Sequence, residues 1–129
     1  MAKDSSGAKI LIIDDDDDLA IALGRLLEHN GYQVVRAADG DEGLKMADSE
    51  SPDLIFLDFM MPVRDGFDVC RTLNGGKRKM PVIALTAFGQ DIGQIHGLSE
   101  GASCIVDFIE KPYEANILLE RVETALSGA

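Results

Sequence analysis

The stretch KILIIDDDDDLAIALGRLLEHNGYQVVRA (residues 9–37) decides the fold class. It opens on the β-rich run KILII (9–13) and passes through the acidic turn Asp14–Asp18. A helical pattern near 18–30 follows, with Leu19, Leu23, Leu26 and Leu27 at i, i+4, i+7 and i+8. Gly31 stops that helix, and QVVR (33–36) starts a second strand. Strand, helix and strand in so short a stretch make a βαβ unit, which demands parallel strands joined by a right-handed crossover. The pattern then repeats outward. DLIFL (53–57), PVIAL (81–85) and CIVDFI (104–109) are further strand candidates, and helices are expected near 41–50, 67–74, 91–100 and 114–127. In the last of these, Leu118, Val122, Ala125 and Leu126 mark one face. The inner strands are nearly continuous apolar runs, as strands covered on both faces must be. Five strands alternating with five helices predict an α/β fold, a doubly wound parallel sheet with helices on both sides.

Composition agrees with one domain. The 129 residues are 46% hydrophobic and 27% charged, which excludes disorder and allows a core without disulfide staples. A single domain over 9–127 is expected, preceded by a flexible polar arm over 1–8 that lacks the apolar segment of a secretion signal. Twelve basic residues against 23 acidic ones give a net charge of −11. That balance disfavours nucleic acid and anionic membrane surfaces, both of which need cationic protein surface. No apolar run is long enough to span a bilayer. Cys70 and Cys104 show no paired spacing and read as reduced thiols of a cytoplasmic protein. His29 and His96 lie away from the sheet edge and read as surface residues of helices.

In open parallel sheets, ligands bind beyond the carboxyl ends of the strands. There the sequence places Asp14 and Asp15 after the first strand, Asp58 after the third, Thr86 after the fourth, and Glu110, Lys111 and Pro112 after the fifth. Two carboxylates about 4 Å apart repel by about 4 kcal/mol at an effective dielectric of 20, so three of them call for cations. Lys111 is one. A hard divalent ion is the natural second, and oxygen-only ligands suit Mg²⁺ or Mn²⁺ better than zinc. A carboxylate beside such an ion, a Lys and a Thr hydroxyl is a workable phosphoryl-transfer site. Each residue alone has a plainer use: Asp17 or Asp18 as helix cap, Asp58 as turn former, Thr86 as strand end, Lys111 as surface lysine. Their arrival at one edge carries the functional reading. A calcium loop starting at Asp14 fails, because its sixth and twelfth positions would be Leu19 and Arg25 rather than Gly and Glu.

These residues carry a resemblance that covers nearly the whole chain. LIIDDD, the D-x-x-M-P-x-x-D-G pattern at Asp58, Met61, Pro62, Asp65 and Gly66, the Thr of IALTA and the Lys-Pro-aromatic of EKPY resemble the receiver domain of two-component response regulators. The resemblance implies a flavodoxin-like sheet of order 2-1-3-4-5. It implies that Asp58 is the phosphoacceptor, taking its phosphoryl group from a sensor histidine kinase or a histidine phosphotransfer protein. Asp15, Asp58 and the main-chain carbonyl of Met60 would hold Mg²⁺, with Asp14 in support. Lys111 would pair with phosphoryl oxygens, and Thr86 and Phe108 would act as switch residues. They would bias the face formed by the fourth predicted helix, the fifth strand and the fifth predicted helix. Partners would be the kinase and a downstream protein target, with dimerisation on phosphorylation allowed. Such a domain catalyses only its own phosphorylation and dephosphorylation.

Two features depart from the family pattern or qualify it. Ten residues separate Gly101 from Lys111, where seven are usual, so SCIVDF carries a three-residue insertion before the fifth strand. Met60 and Phe88, bulky and apolar, occupy positions where the family tunes dephosphorylation, so a long-lived phosphoryl group is expected. Two alternatives compete. A haloacid-dehalogenase-like phosphatase would use Asp14, Asp16, Thr86 and Lys111, but it lacks Thr at position 18 and leaves the Asp58 pattern unexplained. A receiver-like module that signals without phosphorylation would have no use for the intact acidic set. With the last helix ending near Leu126, the sequence reads as a stand-alone receiver or one cut from a larger protein.

Overall fold

A computed structural model describes residues 7–58, 81–86, 105–110 and 113–127. Five strands run Lys9–Ile13 (β1), Gln33–Ala37 (β2), Leu54–Asp58 (β3), Val82–Thr86 (β4) and Ile105–Glu110 (β5). All neighbours pair in parallel, in the order β2-β1-β3-β4-β5. Among the described residues there are three helices: α1 (Asp17–His29), α2 (Gly40–Glu50) and α3 (Ala115–Ser127). The helices expected near 67–74 and 91–100 lie outside the described residues, as do Cys70, His96 and Phe88.

Alternation along the inner strands splits the core into two layers. Leu11, Ile13, Ile55, Leu57, Val82 and Ala84 face one way and meet Ala47 of α2. Ile10, Ile12, Leu54, Phe56, Ile83 and Leu85 face the other, against Ala20, Leu23 and Leu27 of α1 and Leu118, Val122 and Leu126 of α3. Burial on both sides is why these runs have no polar period. Each fully buried Ile or Leu contributes about 1.5–3 kcal/mol.

Several local expectations shift. Leu19 is 42% exposed, because the buried stripe of α1 runs through Ala20, Leu23, Gly24 and Leu27 and leaves Leu19 at its margin. The cap of α1 is Asp16, whose Oδ1 accepts from Leu19 N at 3.1 Å, and not Asp17 or Asp18, which already lie inside the first turn. At the other end Gly31 takes φ +93°, which lets Gly31 N reach Glu28 O and Tyr32 N reach Leu27 O. His29 is exposed on the last turn. β3, β4 and β5 each run one residue past the apolar segment, so Asp58, Thr86 and Glu110 are the last strand residues. The β4–β5 register jumps from Val82↔Ile105 to Ile83↔Asp107, leaving Val106 as a bulge that is 54% exposed.

Candidate functional site

The acidic turn is built by its own hydrogen bonds and by the end of β2. Asp14 N donates to Ala37 O at 3.1 Å, carrying the β1–β2 pairing one residue beyond the strand. Asp14 Oδ1 accepts from Asp16 N at 3.0 Å, which turns the chain into α1. Arg36 closes the turn from the side, with Nη2 donating to Asp14 O at 2.9 Å and Nη1 pairing with Asp17 Oδ1 at 2.6 Å. Asp58 enters from β3, where its Cα is paired with Leu85 of β4.

Carboxylate oxygens of Asp14, Asp15 and Asp58 lie within 4.8 Å of one another. Asp14 is 1% exposed and Asp58 5%, while Asp15 opens to solvent. At that spacing each pair repels by about 3–4 kcal/mol at an effective dielectric of 20. Two of the three sit where water screens them little. Three converging oxygen ligands with one open to solvent suit a hard divalent ion that keeps part of its water shell, so the residues fit Mg²⁺.

Of the other expected site residues, Thr86 ends β4 opposite Glu110, which puts its backbone at the same sheet edge as Asp58. Lys111 and Met60 lie outside the described residues. Phe108 is half-buried on β5, its ring against the core layer that holds Ile13 and Ala84, and its N–H donates to Asp107 Oδ1 at 2.8 Å. Tyr113 is one residue that the sequence reading left without a role. It packs against the opposite core layer, and burial, reinforced by the Asp14 carboxylate, pushes its phenol pKa up from the ordinary value.

A family model described as the response regulator receiver domain matches residues 10–123. This chain belongs to that family. The receiver is 40% identical over 118 residues to the alkaline phosphatase synthesis transcriptional regulatory protein PhoP of Bacillus subtilis, matching 92% of this chain and 48% of that one. It is 42% identical over 120 residues to the DNA-binding dual master transcriptional regulator RpaA of Synechocystis, with 92% and 48% covered. The chain therefore spans about half the length of the curated relatives it matches. Among solved structures, the receiver domain of the Francisella response regulator 1452 superposes with a TM-score of 0.81 at 32% identity, over 93% of this chain and 97% of that one. The signal receiver domain of a signal transduction histidine kinase from Syntrophus aciditrophicus gives 0.83 at 36% identity, over 95% and 92%.

Membership fixes the general function. Receiver domains are the phosphoacceptor signalling modules of two-component response regulators, and neither the phosphatase nor the phosphorylation-independent alternative is favoured. The sheet order 2-1-3-4-5 is that of the family. Among the described residues no helix is long and apolar enough to cross a membrane.

Proposed function

We propose that Asp58 is the phosphoacceptor, and that Asp14, Asp15, Asp58 and the carbonyl of Met60 hold the Mg²⁺ its phosphorylation requires. The observation that carries this reading is the convergence of three carboxylates at the carboxyl edge of the sheet, two of them buried. A carboxylate oxygen of Asp58 attacks the phosphorus of a phosphohistidine on a sensor histidine kinase or phosphotransfer protein. The P–N bond breaks, its electron pair returns to the imidazole, and an acyl phosphate forms on Asp58. When bound, Mg²⁺ neutralises charge on the carboxylates and on the transferring phosphoryl oxygens. Asp14 and Asp15 keep the edge acidic enough to retain a cation, and Lys111 offers its ammonium to a phosphoryl oxygen. The new phosphate carries about −1.5 to −2 charges. It draws in the Thr86 hydroxyl and Lys111, and Phe108 transmits the change to the surface around β5 and α3.

A cytoplasmic regulator accepts the signal from its kinase and passes it to a downstream protein through this face, by heterologous contact or by dimerisation. With a net charge of −11 the domain itself does not bind nucleic acid. The test is intact-mass measurement after incubation with acetyl phosphate, on wild type and Asp58→Asn, with Mg²⁺ and with chelator. One added phosphate that needs Mg²⁺, is released by hydroxylamine and is absent from the variant supports the proposal. Equal labelling of the variant refutes it.

A further inference from the structure

Arg36 is the penultimate residue of β2, an edge strand, with its Cα paired to Ile12. Its guanidinium crosses the strand end and meets the acidic turn on either side of Asp15 and Asp16, at the carbonyl of Asp14 and the carboxylate of Asp17. Together with the bond from Asp14 N to Ala37 O, this ties both main-chain polar groups of Asp14 to the end of β2.

We propose that Arg36 is a positioning residue for the metal site: it clamps the β1–α1 turn so that Asp14 and Asp15 stay aimed at Asp58. This rests on the Mg²⁺ reading given above. Five consecutive carboxylates, Asp14–Asp18, repel one another and Asp58, so the turn needs a cation to stay closed. A cation bound to the carboxylates of Asp14 or Asp15 would compete with a metal for the same oxygens. Arg36 instead bonds a main-chain carbonyl and the carboxylate of Asp17, neither of which belongs to the three-carboxylate cluster. It thereby restrains the turn without covering the ligand atoms. Its charge is matched by Asp17 at 2.6 Å, so it presents little net repulsion to a cation farther off. The two acceptors need the planar fork of Arg; a single ammonium at the end of a Lys does not span both.

The test is Mg²⁺ affinity by calorimetry on wild type, Arg36→Met, Arg36→Lys and Asp17→Asn, with amide hydrogen exchange on the metal-free proteins. Outer partners of metal ligands are worth about 10–100-fold in affinity. The expected rise in Kd is about tenfold for Arg36→Met and nearly as large for Arg36→Lys. Asp17→Asn, which removes one arm of the clamp at an exposed position, gives a smaller rise of about threefold and decides the matter if Arg36→Met does not fold. Faster exchange at Asp14, Asp16, Leu19 and Ala20 accompanies the loss. Unchanged Kd in folded variants would assign Arg36 a structural role only and overturn the proposal. Tighter binding by Arg36→Met, with Arg36→Lys like wild type, would overturn it in favour of simple charge repulsion. Wild type that binds no Mg²⁺ overturns the metal reading and the clamp's role with it, an outcome recognised before any variant is compared.

Discussion

Replacing Gly43 by Ala tests how tightly α2 is pressed onto the strand that delivers Asp14. A Cβ at Gly43 would fall 2.5 Å from Ile13 Cδ1, 2.8 Å from Cγ1 and 3.1 Å from Cγ2, where carbon atoms ordinarily rest at about 3.5–4.0 Å. Ile13 cannot retreat, being fully buried and held in register by Ala37 on one side and Leu57 on the other. Helix propensity works the opposite way, favouring Ala over Gly by about 1 kcal/mol. Overpacking a well-filled core costs about 1–3 kcal/mol. Three contacts shorter than ordinary place this site at the upper end, so a net loss of about 2 kcal/mol is expected. In urea unfolding, with a slope of about 1–3 kcal/mol/M, the midpoint falls by about 1 M. Ile13→Val removes Cδ1, the atom in closest conflict. The double variant should therefore lose less than the sum of the single losses, by about 1 kcal/mol. A Gly43→Ala protein with a midpoint at or above wild type would show that α2 moves freely off β1 and would refute the reasoning.

Asp58→Asn removes one charge from a cluster whose pairs each repel by about 3–4 kcal/mol. In chelator its urea midpoint is expected to lie above that of wild type, and the stabilisation that Mg²⁺ gives wild type is expected to vanish. A lower midpoint in chelator would mean that Asp58 is compensated by its partners in the metal-free state. Ser51 caps α2 in the left-handed region at φ 48°, which Gly adopts without strain, so Ser51→Gly should raise stability by about 0.5–1 kcal/mol in the same assay. Tyr113 gives a pH signature. A phenol whose folded pKa is raised contributes stability that is complete below the unfolded pKa of about 10 and is lost as pH rises through the folded value. Wild type should therefore lose stability with alkali more steeply than Tyr113→Phe. In a Tyr32→Phe background, ultraviolet titration should place the Tyr113 midpoint above the ordinary range and lower it on Asp14→Asn.

The sheet was legible because burial on both faces leaves a mark that composition can carry. IFL at 55–57 and VIAL at 82–85 have no polar period, and both proved to be inner strands. Strand ends were less legible. Asp58 and Thr86 read as residues after a strand, yet the ladder continues through them opposite Leu85 and Glu110, since backbone pairing does not stop where apolar side chains do. The acidic cluster was visible because strand-end position and family pattern agree. What stabilises it was not. Arg36 is a lone cation in an edge strand, and nothing in QVVRA announces that its side chain turns back over Asp14. Nor does the sequence mark Gly43, because its close approach to Ile13 joins positions thirty residues apart. Asp16 rather than the expected Asp17 or Asp18 caps α1, because the turn accepted by Asp14 Oδ1 fixes where the helix begins, which a run of five identical residues does not mark.

Locating the phosphorylated side chain tests the central claim most directly. Protein treated with acetyl phosphate and Mg²⁺ is reduced with borohydride, which converts an aspartyl phosphate to homoserine, then digested and mapped by peptide mass spectrometry. Homoserine is expected at position 58 and at no other aspartate. Homoserine at position 14 or 15, with Asp58 unmodified, would contradict it.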